Sequence, residues 1–128
     1  MGHYLLDTHT AIWFFNGDAQ LSETAKRVIL DISNGKYISI ASAWEVAIKL
    51  SIGKLSISGT TADFIQDIET NGIVILPIKS SHLSILESLP FIHRDPFDRL
   101  FVAAALAEQM TLITSDDNIA RYDVPQIW

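Results

Sequence analysis

Four acids dispersed along this 128-residue chain, Asp7, Glu45, Asp98 and Asp116, are the groups best suited to chemistry. The chain has no cysteine, so a thiolate nucleophile and a thiolate zinc site are both excluded, and any metal would be held by oxygen or imidazole. Each acid alone has an ordinary use. Asp7 suits a helix N-cap, Glu45 a surface pair with Lys49 four residues on, and Asp116 and Asp117 the start of a helix after a strand. In His93-Arg94-Asp95-Pro96-Phe97-Asp98, Asp95 reads as a cap, Pro96 as the first helical residue and Asp98 as a first-turn acid favoured by the helix dipole. Their chemistry would be collective. Carboxylates gathered in one place repel one another and raise each other's pKa, and a divalent cation such as Mg²⁺ or Mn²⁺ removes that repulsion. A cation so held lowers the pKa of a bound water.

Whether the four acids meet depends on the elements that carry them. Short apolar stretches predict strands over His3–Leu6, Tyr37–Ile40, Ile73–Leu76 and Thr111–Thr114, with a closing piece near Val124–Ile127. Helical spacing predicts helices over Thr10–Phe15, Ser22–Ser33, Ala43–Ser51, Thr61–Asn71, Ser80–Leu86 and Pro96–Met110. Asn34-Gly35 is read as closing the second helix, Gly53 as following the third and Asn71-Gly72 as ending the fourth. Strands that are apolar throughout and alternate with helices indicate a parallel sheet covered on both faces. The expectation is one α/β domain, a three-layer α/β/α sandwich. Ligands of such sheets bind at the carboxyl ends of the strands. Asp7 follows the first strand directly, and Asp116 comes two residues after Thr114. Glu45 lies in the first turns of the helix leaving the second strand. Asp98 opens the long helix before the fourth strand, and a helix antiparallel to the strands starts at that same edge. One rim therefore collects carboxylates from four segments.

Four blocks in order carry a family pattern: Leu5-Leu6-Asp7-Thr8-His9, Ala43-Trp44-Glu45-Val46-Ala47-Ile48-Lys49, His93-Arg94-Asp95-Pro96-Phe97-Asp98-Arg99-Leu100 and Leu112-Ile113-Thr114-Ser115-Asp116. Over nearly its whole length the chain resembles a PIN-domain ribonuclease of the VapC type, the toxin of a toxin–antitoxin pair. The resemblance implies a PIN-like sandwich, Mg²⁺- or Mn²⁺-dependent endonuclease activity on RNA leaving 5′-phosphate and 3′-hydroxyl ends, a cognate antitoxin and a homodimer. By that match Asp7, Glu45, Asp98 and Asp116 fall on the catalytic, metal-holding acids. Thr8 and Thr114 fall on supporting hydroxyl positions, and Asp95 is secondary. Asp117 beside Asp116 departs from the pattern, so either of the pair can be the fourth ligand.

Arg94, Arg99, Lys49 and Lys54 are the candidate contacts to an RNA backbone, each with an equally plain use as a surface or salt-bridge residue. The formal charge of -6 argues against a broad basic surface gripping nucleic acid indiscriminately. No run approaches the roughly 20 apolar residues of a membrane span, and the N-terminus has none of the marks of a signal peptide, so a cytoplasmic protein is expected. His3 and His9 flank the first acid, His93 is read as bracing the long helix, and His82 has no chemical context. Trp13, Phe14, Phe15 and Trp44 fall in helical apolar patterns and are expected in the core, with any exposed part available to an antitoxin segment or a dimer face.

Two rival readings remain. A haloacid dehalogenase-like phosphatase also places an Asp after its first strand, but it needs a second Asp two residues on, where His9 stands. A non-catalytic protein-binding module of the same fold would use the acids only as caps and surface charges.

Overall fold

Leu5 and Leu6 are neighbours on the first strand, both without exposure, and they feed different cores. Successive side chains of a strand point to opposite faces, so an unbroken apolar strand requires cover on both. The computed structural model describes residues 1–128 and shows that arrangement. Its elements are β1 (His3–Leu6), α1 (Thr8–Asn16), α2 (Glu23–Leu30), β2 (Gly35–Ser39), α3 (Ile40–Ser51), α4 (Thr61–Thr70), β3 (Val74–Leu76), α5 (Ser80–Ser88), α6 (Pro96–Glu108), β4 (Thr111–Ile113) and β5 (Gln126–Ile127), with a short 3₁₀ turn at Ile119–Arg121.

The five strands form one sheet in the order β3-β2-β1-β4-β5, parallel throughout. Leu5 packs with Phe101, Val102 and Leu112 on one face, while Leu6 packs with Ile12, Ile38, Ile68 and Ile113 on the other. Fully burying an aliphatic side chain of this size stabilises by roughly 1.5–3 kcal/mol, and both faces depend on it. The chain is thus a three-layer α/β/α sandwich. It runs from β1 through β2 to β3 in one direction and then returns to add β4 and β5 on the other side of β1. The order reverses between β1 and β4, and the carboxyl ends there open a crevice. No helix is long and apolar enough to cross a membrane.

Several boundaries differ from expectation because side chains near helix starts take backbone roles. Ser39 accepts a hydrogen bond from the Ala41 N–H at 3.0 Å, so β2 stops at Ser39 and α3 starts at Ile40, three residues before Ala43. Asn34-Gly35 does not close α2. That helix ends at Leu30, Asp31 accepts from the Ser33 N–H and hydroxyl, and Gly35 opens β2 opposite His3. Asp7 caps α1, which therefore begins at Thr8. At its far end α6 stops at Glu108, with Gln109 in the left-handed region at φ 56. Trp44 is not core. It is 60% exposed on a stripe with Ile40, Ile48 and Ile52, whereas Trp13, Phe14 and Phe15 are half-buried.

Candidate active site

Asp7 leaves β1 at the crevice, and its backbone N–H still donates to the Ile113 carbonyl of β4. Its carboxylate is 6% exposed and doubly held: Oδ1 accepts from the Thr10 N–H at 2.9 Å, and Oδ2 accepts from the Thr114 hydroxyl. Both donors are neutral, so they orient the anion without compensating its charge. Burial accordingly pushes the Asp7 carboxyl up, against the opposing pull of Thr10, Thr114 and the charge of His9. Thr114 also accepts from the Asp116 N–H at 3.1 Å and so ties the two acids' segments together. Asp116 Oδ1 in turn caps the following turn, accepting from the N–H groups of Asn118 and Ile119.

Asp98 stands in the first turn of α6, where Asp95 accepts from the N–H groups of Phe97 and Asp98 as the helix cap. Burial first, then the charges of Asp95, Asp116 and Asp7, raise the Asp98 carboxyl to about 7, while the His93 ring opposes them from 2.9 Å. Beyond its burial, Asp98 thus stands close enough to Asp95, Asp116 and Asp7 for their charges to reach it. Glu45 differs from them. It is buried, with Oε1 accepting from the Thr8 hydroxyl and Oε2 paired with the Lys49 ammonium at 2.5 Å. With its one proton given to Glu45, the Thr8 oxygen accepts from the Ser42 hydroxyl at 2.9 Å.

These residues line one cavity of about 380 Å³. Asp7, Thr8, Glu45, Lys49, Asp95, Asp98, Asp116 and Asp117 all reach it, joined by His9, Trp13 and Ser115. Of the four acids singled out first, none lies elsewhere. Asp116 and Asp117 both line the cavity, so the two remain equivalent in that respect. Thr114 does not line the cavity but fixes Asp7 from behind. Ser115 was not picked out from the sequence, Trp13 was expected in the core but lines the cavity, and His93, read as bracing the long helix, bonds Asp98, because no local spacing marks a residue whose role comes from a distant partner.

The basic candidates separate. Lys49 lines the cavity, whereas Arg94 and Lys54 are exposed and do not. Arg99 is buried. It donates to the carbonyls of Pro90 at 3.0 Å and Leu86 at 3.4 Å and to the Tyr122 hydroxyl at 3.1 Å, with the Phe91 ring 4.7 Å away. It braces the α5–α6 connection and is not available to RNA. His3 packs on Tyr37 at the amino end of β1, away from the carboxylates. His82 has acquired a context: it is buried, accepts from the Lys79 N–H at 3.2 Å and bonds Glu108 at 2.7 Å, clamping α5 to α6.

The kinds of donor suit a hard divalent cation, although the one group whose donor atoms all lie within 4.8 Å of one another is His93, Asp95 and Asp98, not the four acids together. Carboxylates from four segments face one space, Lys49 is the one Lys or Arg among its lining residues and is already engaged by Glu45, and Asp98 is raised first by burial and then by its neighbours' charge. Within the closer group, Asp95 spends one oxygen on capping.

The family model of the PIN domain matches residues 4–125. No curated protein matches the chain. Among solved structures, the chain is similar to VapBC2 from Rickettsia felis bound to a DNA fragment from their promoter, with a TM-score of 0.72, 16% identity, and 98% of this chain and 97% of that chain covered. It is also similar to a toxin–antitoxin complex from Klebsiella pneumoniae (TM-score 0.65, 18% identity, 98% and 96% covered) and to FitAcB from Neisseria gonorrhoeae (0.64, 19%, 98% and 96%).

Proposed function

We propose a function from this premise: the chain belongs to the PIN domain family. Residues 1–128 act as one hydrolase domain, a Mg²⁺-dependent endoribonuclease in which Mn²⁺ can substitute, and as the VapC-type toxin of a cytoplasmic toxin–antitoxin pair. The observation that carries this reading is the single cavity in which Asp7, Asp98 and Asp116 lack any Lys or Arg partner. When bound there, a divalent cation supplies the charge that activates water and steadies a phosphodiester during hydrolysis.

The chain's own residues do the rest. Asp7, Asp98 and Asp116 would hold the cation, and Asp117 stands beside them. Thr114 and Thr10 keep Asp7 in place, and Thr8 keeps Glu45 in place. Glu45 completes the wall and positions Lys49, whose side chain is 32% exposed and can meet a backbone phosphate. Similarity to toxin–antitoxin complexes supports an antitoxin partner, and the exposed stripe Ile40, Trp44, Ile48 and Ile52 on α3 supports a protein contact such as a second copy of the chain. The phosphatase reading has no second acid, since His9 occupies its place in the cavity.

The test is Mn²⁺ titration by calorimetry together with cleavage of total RNA by the parent, Asp7→Asn and Asp98→Asn. Binding and cleavage by the parent, both lost in the folded variants, are expected. Variants that cut like the parent would overturn the proposal and leave the protein-binding module.

A further inference from the structure

Beside the acidic cavity lies a hollow of about 290 Å³ whose lining includes Ala120, Gln126, Ile127 and Trp128. Ser115 and Asp116 line both spaces, so the two adjoin. The second space differs in character. Trp128 meets Trp13 edge to face, with ring centroids 5.8 Å apart and planes at 64°. Trp13 is the single hydrophobic residue lining the acidic cavity, and its ring lies 5.8 Å from that of His9. An aromatic run therefore borders the path between the two. Trp128 is half-buried against the core, which holds its ring in place and leaves part of it open. Gln126 is equally fixed. Its Nε2 shares two N–H donors among the carbonyls of Ile119, Tyr122 and Val124 at 3.3–3.4 Å, and its Oε1 accepts from no protein group.

We infer that this hollow receives the nucleobase adjacent to the phosphate at the carboxylates, stacked on Trp128 and met at its edge by Gln126. The inference rests on the ribonuclease reading above. Every nucleobase has a π-face that stacks on an indole, and Gln126 Oε1 accepts from an amino or imino N–H on a base edge. A base in a duplex offers neither, since its faces and its pairing edge are already occupied. The need for such a site follows from charge. A chain of net charge -6 with one Lys and no Arg lining its cavity gains little from neutralising phosphates, so uncharged contacts to a base must contribute to holding the strand.

The test uses a single-stranded oligoribonucleotide of mixed sequence, the same strand in a duplex, and copies of it with one base at a time removed to leave an abasic residue. Tryptophan fluorescence is followed in stopped flow with Mg²⁺, ahead of cleavage, and initial cleavage rates are measured alongside. Quenching by the single strand but not by the duplex is expected. Trp128→Ala should weaken the single strand roughly 5- to 150-fold, the range of one lost base stack, with Mn²⁺ affinity unchanged. One abasic position should weaken the parent similarly and the variant no further. Where Trp128→Ala does not fold, Trp128→Leu keeps apolar packing without the π-face and takes its place. Equal quenching by duplex, no quenching, abasic and Trp128 effects that multiply independently, or fluorescence that follows protein concentration alone each overturn the inference; the last would make the hollow a contact between copies. If the coupling is present without cleavage, the nuclease reading fails and the base site stands. If cleavage occurs without coupling, the base site alone fails.

Discussion

The Thr114 hydroxyl donates to Oδ2 of Asp7 from just past the end of the neighbouring strand, 107 residues further along the chain. It also receives the Asp116 N–H, so one hydroxyl sets the orientation of one acid and the backbone of another. Removing it frees Asp7 to rotate while leaving the carboxylate in the cavity. Thr114→Val should lower Mn²⁺ affinity by about 10- to 100-fold, the effect usual for partners that orient metal ligands, while Thr114→Ser retains it. Calorimetry on the two variants checks this, and equal affinities would show that the hydroxyl does not matter.

Asp98 gives the site a proton linkage. Its folded carboxyl is raised to about 7 from an ordinary 3.8, so between those values the folded chain holds a proton that the unfolded chain releases. The stability contributed by this group is full below 3.8 and is lost as the pH rises through about 7. Cation binding needs the ionised form, so affinity should fall by up to about tenfold per pH unit below 7, with proton release on binding. Calorimetry at pH 6 in two buffers of different ionisation enthalpy measures that release, and its absence would contradict the linkage.

Asp7 implies a trade between stability and function. Burial raises its carboxyl, so the ionised form at pH 8 opposes folding, and the cost disappears on acidification or neutral substitution. Asp7→Asn keeps an oxygen for the Thr10 N–H. In chelator at pH 8 it should melt above the parent, yet gain nothing from added Mn²⁺. A lower melting temperature with a preserved Mn²⁺ response would reverse both halves of the argument.

Arg99 predicts the opposite separation. Its guanidinium serves two carbonyls and the Tyr122 hydroxyl from a buried position, and each buried group left without a partner costs about 1–3 kcal/mol. Arg99→Ala should therefore lower the melting temperature by several degrees while Mn²⁺ affinity in the folded fraction stays that of the parent. Thermal scans with and without Mn²⁺ distinguish this from a role at the site.

Much of this was written in local residue types. Unbroken apolar strands at Leu5-Leu6 and Leu112-Ile113 demanded a sheet covered on both faces; Asp7 and Asp116 followed strands, Asp98 opened a helix and Glu45 lay in the early turns of another, which sends them to one rim. Helix starts were less legible, because Asp7 and Ser39 act as caps only once the backbone ahead of them has turned. What the tertiary structure alone decided was pairing. Arg94, Arg99, Lys49 and Lys54 are alike as letters, yet Lys49 enters the cavity, Arg99 is buried among carbonyls, and Arg94 and Lys54 stay outside. His82 with Glu108, His93 with Asp98 and Trp13 with Trp128 likewise exist only after folding. The physical reason is range. Hydrophobic period and turn chemistry act over a few residues and are present in the sequence, whereas the charge, depth and hydrogen-bond partners of a side chain are set by atoms that may lie a hundred residues away.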